Sequence, residues 1–351
     1  MKDSLRGFRG SVVDPFKVTS HIFRAISLSP KGKTMRGKTT TLKFVACVAS
    51  LLAFQSRPVL GDELMPSLKA DLVIRKTVGD SEIVLTTTAR LAGAVHSLTW
   101  NGKEFIDSLD HGRQLQSACS FDAGSTFWAE AYNPTEAGSR DDGAGPKSTS
   151  RLLHSLATSD ALQTTTQMAF WLAPGQKSEK FLAKNTTTLS NHLVTKRVQI
   201  GIPNLPQVIR FDVTFSVPLG ERHTFAQFEA LTGYMPEEFR SFWFFRPQTG
   251  ELEPLTDGPG EQPFPVVLST ENGSHAMGIF SPQSAAVGES NPGYGRWRFG
   301  PERVVKWNSV FRLRSEAGIE PGEYSFRNFV VVGNRDTVKK SLAELHRLFS
   351  K

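Results

Sequence analysis

Apolar and polar residues alternate one by one along much of the chain. The clearest run is IRFDVTFSV, residues 209–217, in which every second residue is apolar. Successive side chains of a β-strand point to opposite faces of a sheet, so this period of two predicts strands with one buried face. Similar runs predict further strands at residues 72–78, 82–88, 162–172, 193–200, 266–270, 304–313 and 324–332. The chain is therefore predicted to be all-β and antiparallel, without the regular helix–strand alternation of doubly wound folds.

Two Asn-Gly pairs, Asn101-Gly102 and Asn272-Gly273, lie between strand-like segments. Asn and Gly tolerate the positive φ angles of a type I′ turn, so both pairs predict β-hairpins. The polar, Gly-rich or Pro-rich segments 138–150 and 256–265 predict loops.

One helix is predicted, from Thr337 to Phe349, with Asp336 as its N-cap. Its apolar stripe predicts that it covers a sheet edge or a barrel end. The stripe consists of Val338, Leu342, Leu345 and Leu348.

The first 61 residues have the pattern of a leader. Basic residues at 36, 38 and 43 precede an apolar run at 44–54, and the segment ends in Val-Leu-Gly before Asp62. This order is typical of a secretory signal peptide, and the apolar run is too short to span a membrane. We expect residues 1–61 to be a leader, with Met35 as an alternative start, and residues 62–351 to be one exported domain, secreted or periplasmic. A buried helix is the alternative interpretation of the apolar run.

The leader changes the interpretation of charge. The whole chain has a net charge of +7, but residues 1–61 hold 11 of its 41 Lys and Arg and 2 of its 34 Asp and Glu. The remaining chain is slightly acidic, so no nucleic-acid partner is expected. No segment after the leader is long and apolar enough to span a membrane.

Catalytic signatures with a strong pattern are absent from the sequence. It contains no CxxC, HExxH, GxSxG, P-loop or dinucleotide-binding motif. Without the leader one cysteine remains, Cys119, which is predicted to be a buried core residue. Asp141 and Asp142 indicate a calcium site only weakly. No metal or other cofactor is expected.

The stretch from Asp110 to Gly143 concentrates polar and aromatic side chains between predicted strands. Loops carried on a rigid β scaffold often hold binding and catalytic groups. His111 and Arg113 are two residues apart, so in an extended segment they project to the same side. Histidine transfers protons near neutral pH, while arginine binds carboxylates or sugar hydroxyls.

Part of the sequence resembles galactose-mutarotase-like proteins. GAVHSLTWNGKEFID (93–107) followed by HGRQLQ (111–116) is similar to the strand, hairpin and polar His/Arg loop with which those proteins begin. VIRFDVTFSVP (208–218) and AMGIFSP (276–282) resemble their long sandwich strands, and the likeness extends over residues 71–332. It implies a β-supersandwich of two large antiparallel sheets, with a sugar in the concave face of one. Members of that fold include epimerases, polysaccharide lyases, glycosidases and binding modules, so the fold does not settle the function.

The resemblance implies a His acid and a Glu base. His111 and Arg113 match the early polar pair, whereas Glu229 and Glu289 are both possible as the base. Glu229 shares strand parity with apolar neighbours, which would raise its pKa and suit acid–base work. His192 and Tyr234 are further candidates for proton transfer. Further candidate substrate-binding residues, besides Arg113, are Gln116, Trp128, Tyr132, Asn133 and Glu136.

We therefore expect an exported carbohydrate-active protein that binds a sugar or polysaccharide, and Arg113 favours an acidic one. An enzyme of the epimerase or lyase type, working by His/Glu or His/Tyr proton transfer, is favoured. A non-catalytic carbohydrate-binding module and a structural protein of the cell envelope are the alternatives.

Overall fold

The segments with a period of two form the long strands of the protein. The structure, a computed structural model, describes residues 68–282 and 290–349. The predicted leader and Glu289 lie outside the described residues. Each predicted strand is present, and every strand pair among the described residues is antiparallel. The prediction of a large antiparallel β-supersandwich with one C-terminal helix is confirmed.

The strands form two layers. Layer A contains, in spatial order, β1 (Val73–Val78), β2 (Ser81–Thr87), β3 (Val95–Trp100), β5 (Leu115–Phe121), β13 (Phe225–Pro236), β20 (Val304–Arg314), β19 (Gly293–Phe299) and β16 (Gly260–Gln262), with β4 (Lys103–Glu104) paired to β3. Layer B contains β7 (Arg151–Ala157), β8 (Ala161–Phe170), β11 (Leu189–Ile202), β12 (Leu205–Val217), β21 (Gly322–Gly333), β18 (Ala276–Phe280), β17 (Val266–Ser269), β14 (Ser241–Arg246) and β15 (Glu251–Pro254).

A short strand joins the two layers. β6 (Pro134–Thr135) pairs with β5 of layer A on one side and with β8 of layer B on the other. A separate hairpin consists of β9 (Lys177–Ser178) and β10 (Phe181–Leu182). The segment around β6 therefore runs where the two layers meet.

The main core lies between the layers. Phe215 of layer B contacts Phe228 of layer A with ring centroids 5.3 Å apart, and Phe311 of layer A stacks on Phe326 of layer B at 4.5 Å. Each such buried side chain contributes about 1.5–3 kcal/mol through the hydrophobic effect. Cys119 is also fully buried in this core, as predicted.

The helix α1 extends from Arg335 to Phe349 and packs on the outer face of layer B. The prediction that it covers a sheet edge or barrel end was wrong, because Val338, Leu342 and Leu345 are buried against the face formed by β17, β18 and β21. Its start was also misplaced: Asn334 Oδ1 accepts the hydrogen bond of Thr337 N at 2.8 Å, so Asn334 takes the place predicted for Asp336. No helix among the described residues meets the length and hydropathy that a membrane crossing requires.

Both Asn-Gly pairs form hairpins, but with different turns. Asn101 and Gly102 have φ angles of 51° and 70°, as a type I′ turn requires. In the second hairpin Gly273 has a φ of 71°, whereas Asn272 stays at negative φ and its Oδ1 accepts hydrogen bonds from Thr270 and Ser274. A longer turn stabilised by side chains therefore replaces the predicted two-residue turn. The segment 256–265 is not wholly a loop, since it contains β16.

Candidate functional site

Charged side chains stand on the outer face of layer A, on the strands β13 and β20. A β-bulge lies between Glu229 and Leu231 and buries both Ala230 and Leu231 in the core. Residues an odd number of positions apart normally point to opposite faces of a sheet, but the extra residue of a bulge restores the same face. Glu229 and Tyr234 are therefore brought to one side.

Lys306 connects these two residues. Its Nζ lies 3.4 Å from Glu229 Oε2 and 5.2 Å from the centre of the Tyr234 ring. The ring of Trp297 lies 4.8 Å from the same ammonium group. The side chains of Glu229 and Lys306 are 19% and 14% exposed, so the ion pair is largely shielded but reachable from solvent.

The surroundings fix the charges of this group. Burial acts to raise the pKa of Glu229, but the charge of Lys306 and hydrogen bonds from Thr232 and Asn308 outweigh burial and hold it below the ordinary value. Burial likewise acts to lower the pKa of Lys306, which the Glu229 charge and Tyr234 more than offset. Burial raises the pKa of Tyr234. At neutral pH the site therefore presents a carboxylate, an ammonium and a neutral phenol.

Tyr234 also lines a pocket of about 350 Å³ next to this group. Trp171 and Phe299 supply further aromatic walls, and the Phe299 ring is stacked with Tyr234 at 6.4 Å. Charged groups at the pocket are Asp110, Arg113, Glu130, Arg140 and Glu302. Aromatic faces beside groups that form charge-assisted hydrogen bonds suit an amphipathic, polar ligand.

Arg113 faces this pocket as a half-buried guanidinium. Its Nε lies 3.2 Å from Asp110 Oδ2, and its side chain is 21% exposed. The Trp171 ring packs so tightly on Gly112 that a Cβ there would lie 2.8 Å from the indole. This glycine lets the aromatic wall approach the backbone beside Arg113.

His111 is one of the residues that line this pocket, but it is only 1% exposed. Its Nδ1 is 2.6 Å from the carbonyl oxygen of Gly143, and its Nε2 is 2.9 Å from that of Arg90. Both ring nitrogens thus face backbone acceptors, a geometry that favours holding the loop over touching a ligand. Its predicted catalytic role stays a prediction.

Three of the predicted binding residues make internal contacts. Gln116 Oε1 accepts a hydrogen bond from Ala137 N at 3.0 Å. Asn133 Nδ2 donates to the Cys119 carbonyl at 2.8 Å. Glu136 is fully buried and paired with Lys196. Their predicted contacts with a substrate remain untested, and these interactions explain the polar character of the stretch without one.

Three further predicted residues, Trp128, Tyr132 and His192, also lie outside the pocket. Trp128 stacks on Phe181 of β10 at 4.4 Å and donates to Ser178 Oγ. His192 and Tyr132 lie together in a separate cluster, with ring centroids 6.1 Å apart. The structure therefore groups Glu229, Tyr234, His111 and Arg113 in one region.

Sequence reasoning missed several members of the site, above all Lys306, Trp171 and Phe299. Lys306 had a detectable signal, because it alternates with the apolar residues Val305 and Trp307 in a predicted strand. Only the pairing of Tyr234 with Lys306 across β13 and β20, however, shows which residues it meets.

No protein-family model matches the sequence. No curated protein matches it either. Solved structures that the chain resembles include an α-galactosidase from Lactobacillus brevis, with 9% identity, a TM-score of 0.43 and coverage of 80% of this chain and 42% of that one. A heparan sulfate lyase from Pedobacter heparinus has 10% identity and a TM-score of 0.36, with 76% and 36% covered. A candidate aldose 1-epimerase from Klebsiella pneumoniae has 8% identity and a TM-score of 0.39, with 77% and 81% covered.

Structures of the galactose-mutarotase-like kind, which the sequence motifs resemble, are thus among those similar to this chain. The chain spans less than half the length of the galactosidase and of the lyase. At these identities and TM-scores the likeness carries no argument about activity, which rests on the geometry of the site.

Proposed function

We propose that the protein binds an acidic glycan on the outer face of layer A and transfers protons to and from it with Glu229 and Tyr234. The observation that carries this proposal is the Glu229–Lys306–Tyr234 group beside an aromatic pocket that contains Arg113. An enzyme of this type needs two proton-transfer groups that converge on one open position.

In this mechanism Arg113 binds the carboxylate of a uronic acid, and an aromatic wall covers the face of its ring. The Glu229 carboxylate removes the proton from the carbon next to the sugar carboxylate, and the electron pair moves into that carboxylate. The positive charge of Lys306 or Arg113 stabilises the resulting anion. For epimerisation, the Tyr234 hydroxyl gives a proton to the opposite face of the same carbon. For elimination, the electron pair returns to form a carbon–carbon double bond, the bond from the neighbouring carbon to its oxygen breaks, and Tyr234 protonates that departing oxygen. Exchange with solvent then removes the proton from Glu229 and returns one to Tyr234.

A non-catalytic carbohydrate-binding function is the second candidate, and one observation favours it. Lys306 and the hydrogen bonds to Glu229 lower the pKa of this carboxyl, which weakens it as a base. The same charged groups would still bind sugar hydroxyls. Turnover, rather than binding, separates the two candidates.

The test is to incubate the full chain with uronic-acid and neutral oligosaccharides and to follow binding by calorimetry and products by NMR. Variants Glu229→Gln and Tyr234→Phe are expected to lower turnover by roughly a hundredfold or more while binding is kept, as loss of an acid–base group does. Glu82→Gln, at a distant exposed carboxylate on β2, is the matched control. Binding without turnover would favour the recognition module, and no binding to any glycan would contradict both candidates.

Export is a separate part of the proposal and rests on the leader pattern of residues 1–61. Expression of the gene in a bacterial host followed by N-terminal sequencing of the product tests it. A mature chain that begins near Asp62 in the periplasm or medium would support export, whereas an uncleaved chain in the cytoplasm would contradict it.

A further inference from the structure

A second cluster of ionisable groups lies at the other end of β5 from the pocket. β5 begins at Leu115, which pairs with Gly233 next to Tyr234, and ends at Phe121, which pairs with Ala226. Six steps along a strand correspond to about 20 Å. The proposed glycan site and this cluster are therefore distinct.

The cluster consists of His192, Glu221 and His223. His192 is on β11 of layer B and faces the space between the layers, while Glu221 and His223 lie in the connection from β12 to β13. Glu221 Oε2 is 2.9 Å from His223 Nε2 and 3.4 Å from His192 Nε2. One possible ligand atom from each residue lies within 4.8 Å of the other two.

These distances suit a small metal ion. Zinc binds imidazole nitrogen and carboxylate oxygen at about 2.0–2.2 Å, so tetrahedral ligand atoms are about 3.3 Å apart. Shifts of an ångström or less would bring the three atoms to that spacing. Two imidazoles and one carboxylate favour zinc or another first-row divalent ion over calcium or magnesium, which prefer oxygen ligands.

His192 supplies an independent observation. Its side chain is 1% exposed, and neither ring nitrogen makes a hydrogen bond to any part of the chain within residues 68–282 and 290–349. A buried polar group without such a partner costs about 1–3 kcal/mol. A metal bound at Nε2 would supply the missing interaction.

The residues around the cluster are placed like those that hold a metal-bound histidine in position. Asp122 Oδ1 lies 3.7 Å from His223 Nδ1, on the side of the ring away from Glu221. The Asp122 carboxylate is itself held by Thr224, through the backbone N at 3.1 Å and the hydroxyl at 2.6 Å. At 3.7 Å the carboxylate does not yet hydrogen-bond Nδ1, and this nitrogen has no other hydrogen-bond partner among the described residues. A shift of less than an ångström would form the bond by which a carboxylate orients a metal-bound imidazole and strengthens it as a ligand. The Phe121 ring, 5.0 Å from His192 and 4.4 Å from His223, fixes both rings further.

We propose that His192, Glu221 and His223 bind one zinc-like divalent ion, which ties the β12–β13 connection to layer B. The charges balance, since two neutral imidazoles and the carboxylates of Glu221 and Asp122 together offset a 2+ ion. The Glu221 side chain is 20% exposed and gives the ion a path from solvent. Three protein ligands leave a fourth position for water.

The test uses the untagged full chain, stripped of metal with a chelator and then titrated with Co²⁺ and with Zn²⁺. Tetrahedral Co²⁺ absorbs visible light strongly, so we expect an absorption that saturates at about one ion per chain and disappears when Zn²⁺ is added. We also expect Zn²⁺ to raise the midpoint of thermal unfolding, because an ion that binds only the folded state stabilises it. Both measurements are made on the wild-type chain.

Glu221→Gln and His223→Gln are expected to abolish the saturable absorption, and Asp122→Asn to weaken affinity roughly 10- to 100-fold. His154→Gln, at an exposed histidine on β7, and Glu320→Gln, at an exposed carboxylate, are matched controls that should bind as the wild type does. The proposal is overturned if the wild-type chain shows neither a saturable Co²⁺ absorption nor a midpoint of thermal unfolding that depends on Zn²⁺. It is also overturned if the Glu221→Gln and His223→Gln variants fold and keep full metal binding.

Discussion

Lys196 Nζ lies 2.6 Å from Glu136 Oε2, and the two side chains are 1% and 0% exposed. Lys196 belongs to β11 of layer B, while Glu136 directly follows β6, the strand that joins the layers. Glu136 Oε2 also accepts a hydrogen bond from Ser117 N of layer A at 2.9 Å. One carboxylate therefore holds groups from both layers where they meet.

Replacing Lys196 by Met is expected to lower the free energy of unfolding by about 3–5 kcal/mol, because it leaves a buried carboxylate without its partner. Urea denaturation measures the change. The double variant Lys196→Met, Glu136→Gln should recover most of the loss, and Lys147→Met, at an exposed lysine, should stay within about 0.5 kcal/mol of the wild type. Equal losses in the single and double variants would contradict the importance of the pair.

Gly278 of β18 sets how closely α1 approaches layer B. A Cβ at this position would lie 2.8 Å from Val338 Cγ1 and 3.2 Å from Leu342 Cδ1. Gly278→Ala is therefore expected to lower the free energy of unfolding by about 1–3 kcal/mol through overpacking. Thermal and urea unfolding measure it, with Gly300→Ala as the control, since no atom lies within 4 Å of a Cβ there. An unchanged free energy of unfolding in Gly278→Ala would contradict this expectation and show that the helix can move away from layer B without loss of stability.

Arg113 should distinguish acidic from neutral glycans. Arg113→Ala is expected to weaken binding of uronic-acid oligosaccharides roughly tenfold or more, as loss of a charge-assisted hydrogen bond does, with a smaller effect on neutral ones. Arg113→Lys should recover only part of the lost affinity, since lysine lacks the planar guanidinium that binds a carboxylate through two hydrogen bonds. Calorimetry at two salt concentrations measures both, and Arg151→Ala, at an exposed arginine on β7, is the control. An equal loss for neutral and acidic ligands would argue against a carboxylate partner.

The lowered pKa of Glu229 predicts an acid-sensitive stability. The carboxyl has its ordinary value of 4.5 in the unfolded chain and a lower value in the folded protein, so folding favours the ionised form. The resulting stabilisation is fully present above pH 4.5 and is lost as the pH falls through the folded pKa. Glu229→Gln should therefore show a smaller fall in unfolding free energy between pH 6 and pH 3 than the wild type. Identical pH profiles for the two chains would contradict the ionised pair with Lys306.

Local pattern was enough to predict most of the fold. The alternation in residues 209–217 marks the buried face of β12 because a strand has a fixed period of two, whatever its neighbours are. Two other local rules, the turn preference of Asn-Gly and the period of a helix, located the hairpin at Asn101-Gly102 and three of the four residues of the α1 stripe, whereas Leu348 is exposed. Local rules failed at Asp336 and at Asn272, where the interaction of one side chain with the backbone or a neighbouring residue decides the cap or the turn.

The candidate sites depend on contacts between residues far apart in the chain, which no local period contains. The period of two predicted that Glu229 shares a face with its apolar neighbours, and the bulge between Glu229 and Leu231 overturned that prediction. Lys306 meets Glu229, Lys196 meets Glu136, and His192 meets Glu221 only because particular strands and loops lie next to one another. Periodicity predicts which face of a strand is buried, since that face is a property of a few consecutive residues. Which charged groups share a face or an interior space is a property of the strand order, and it is set when the two layers pack.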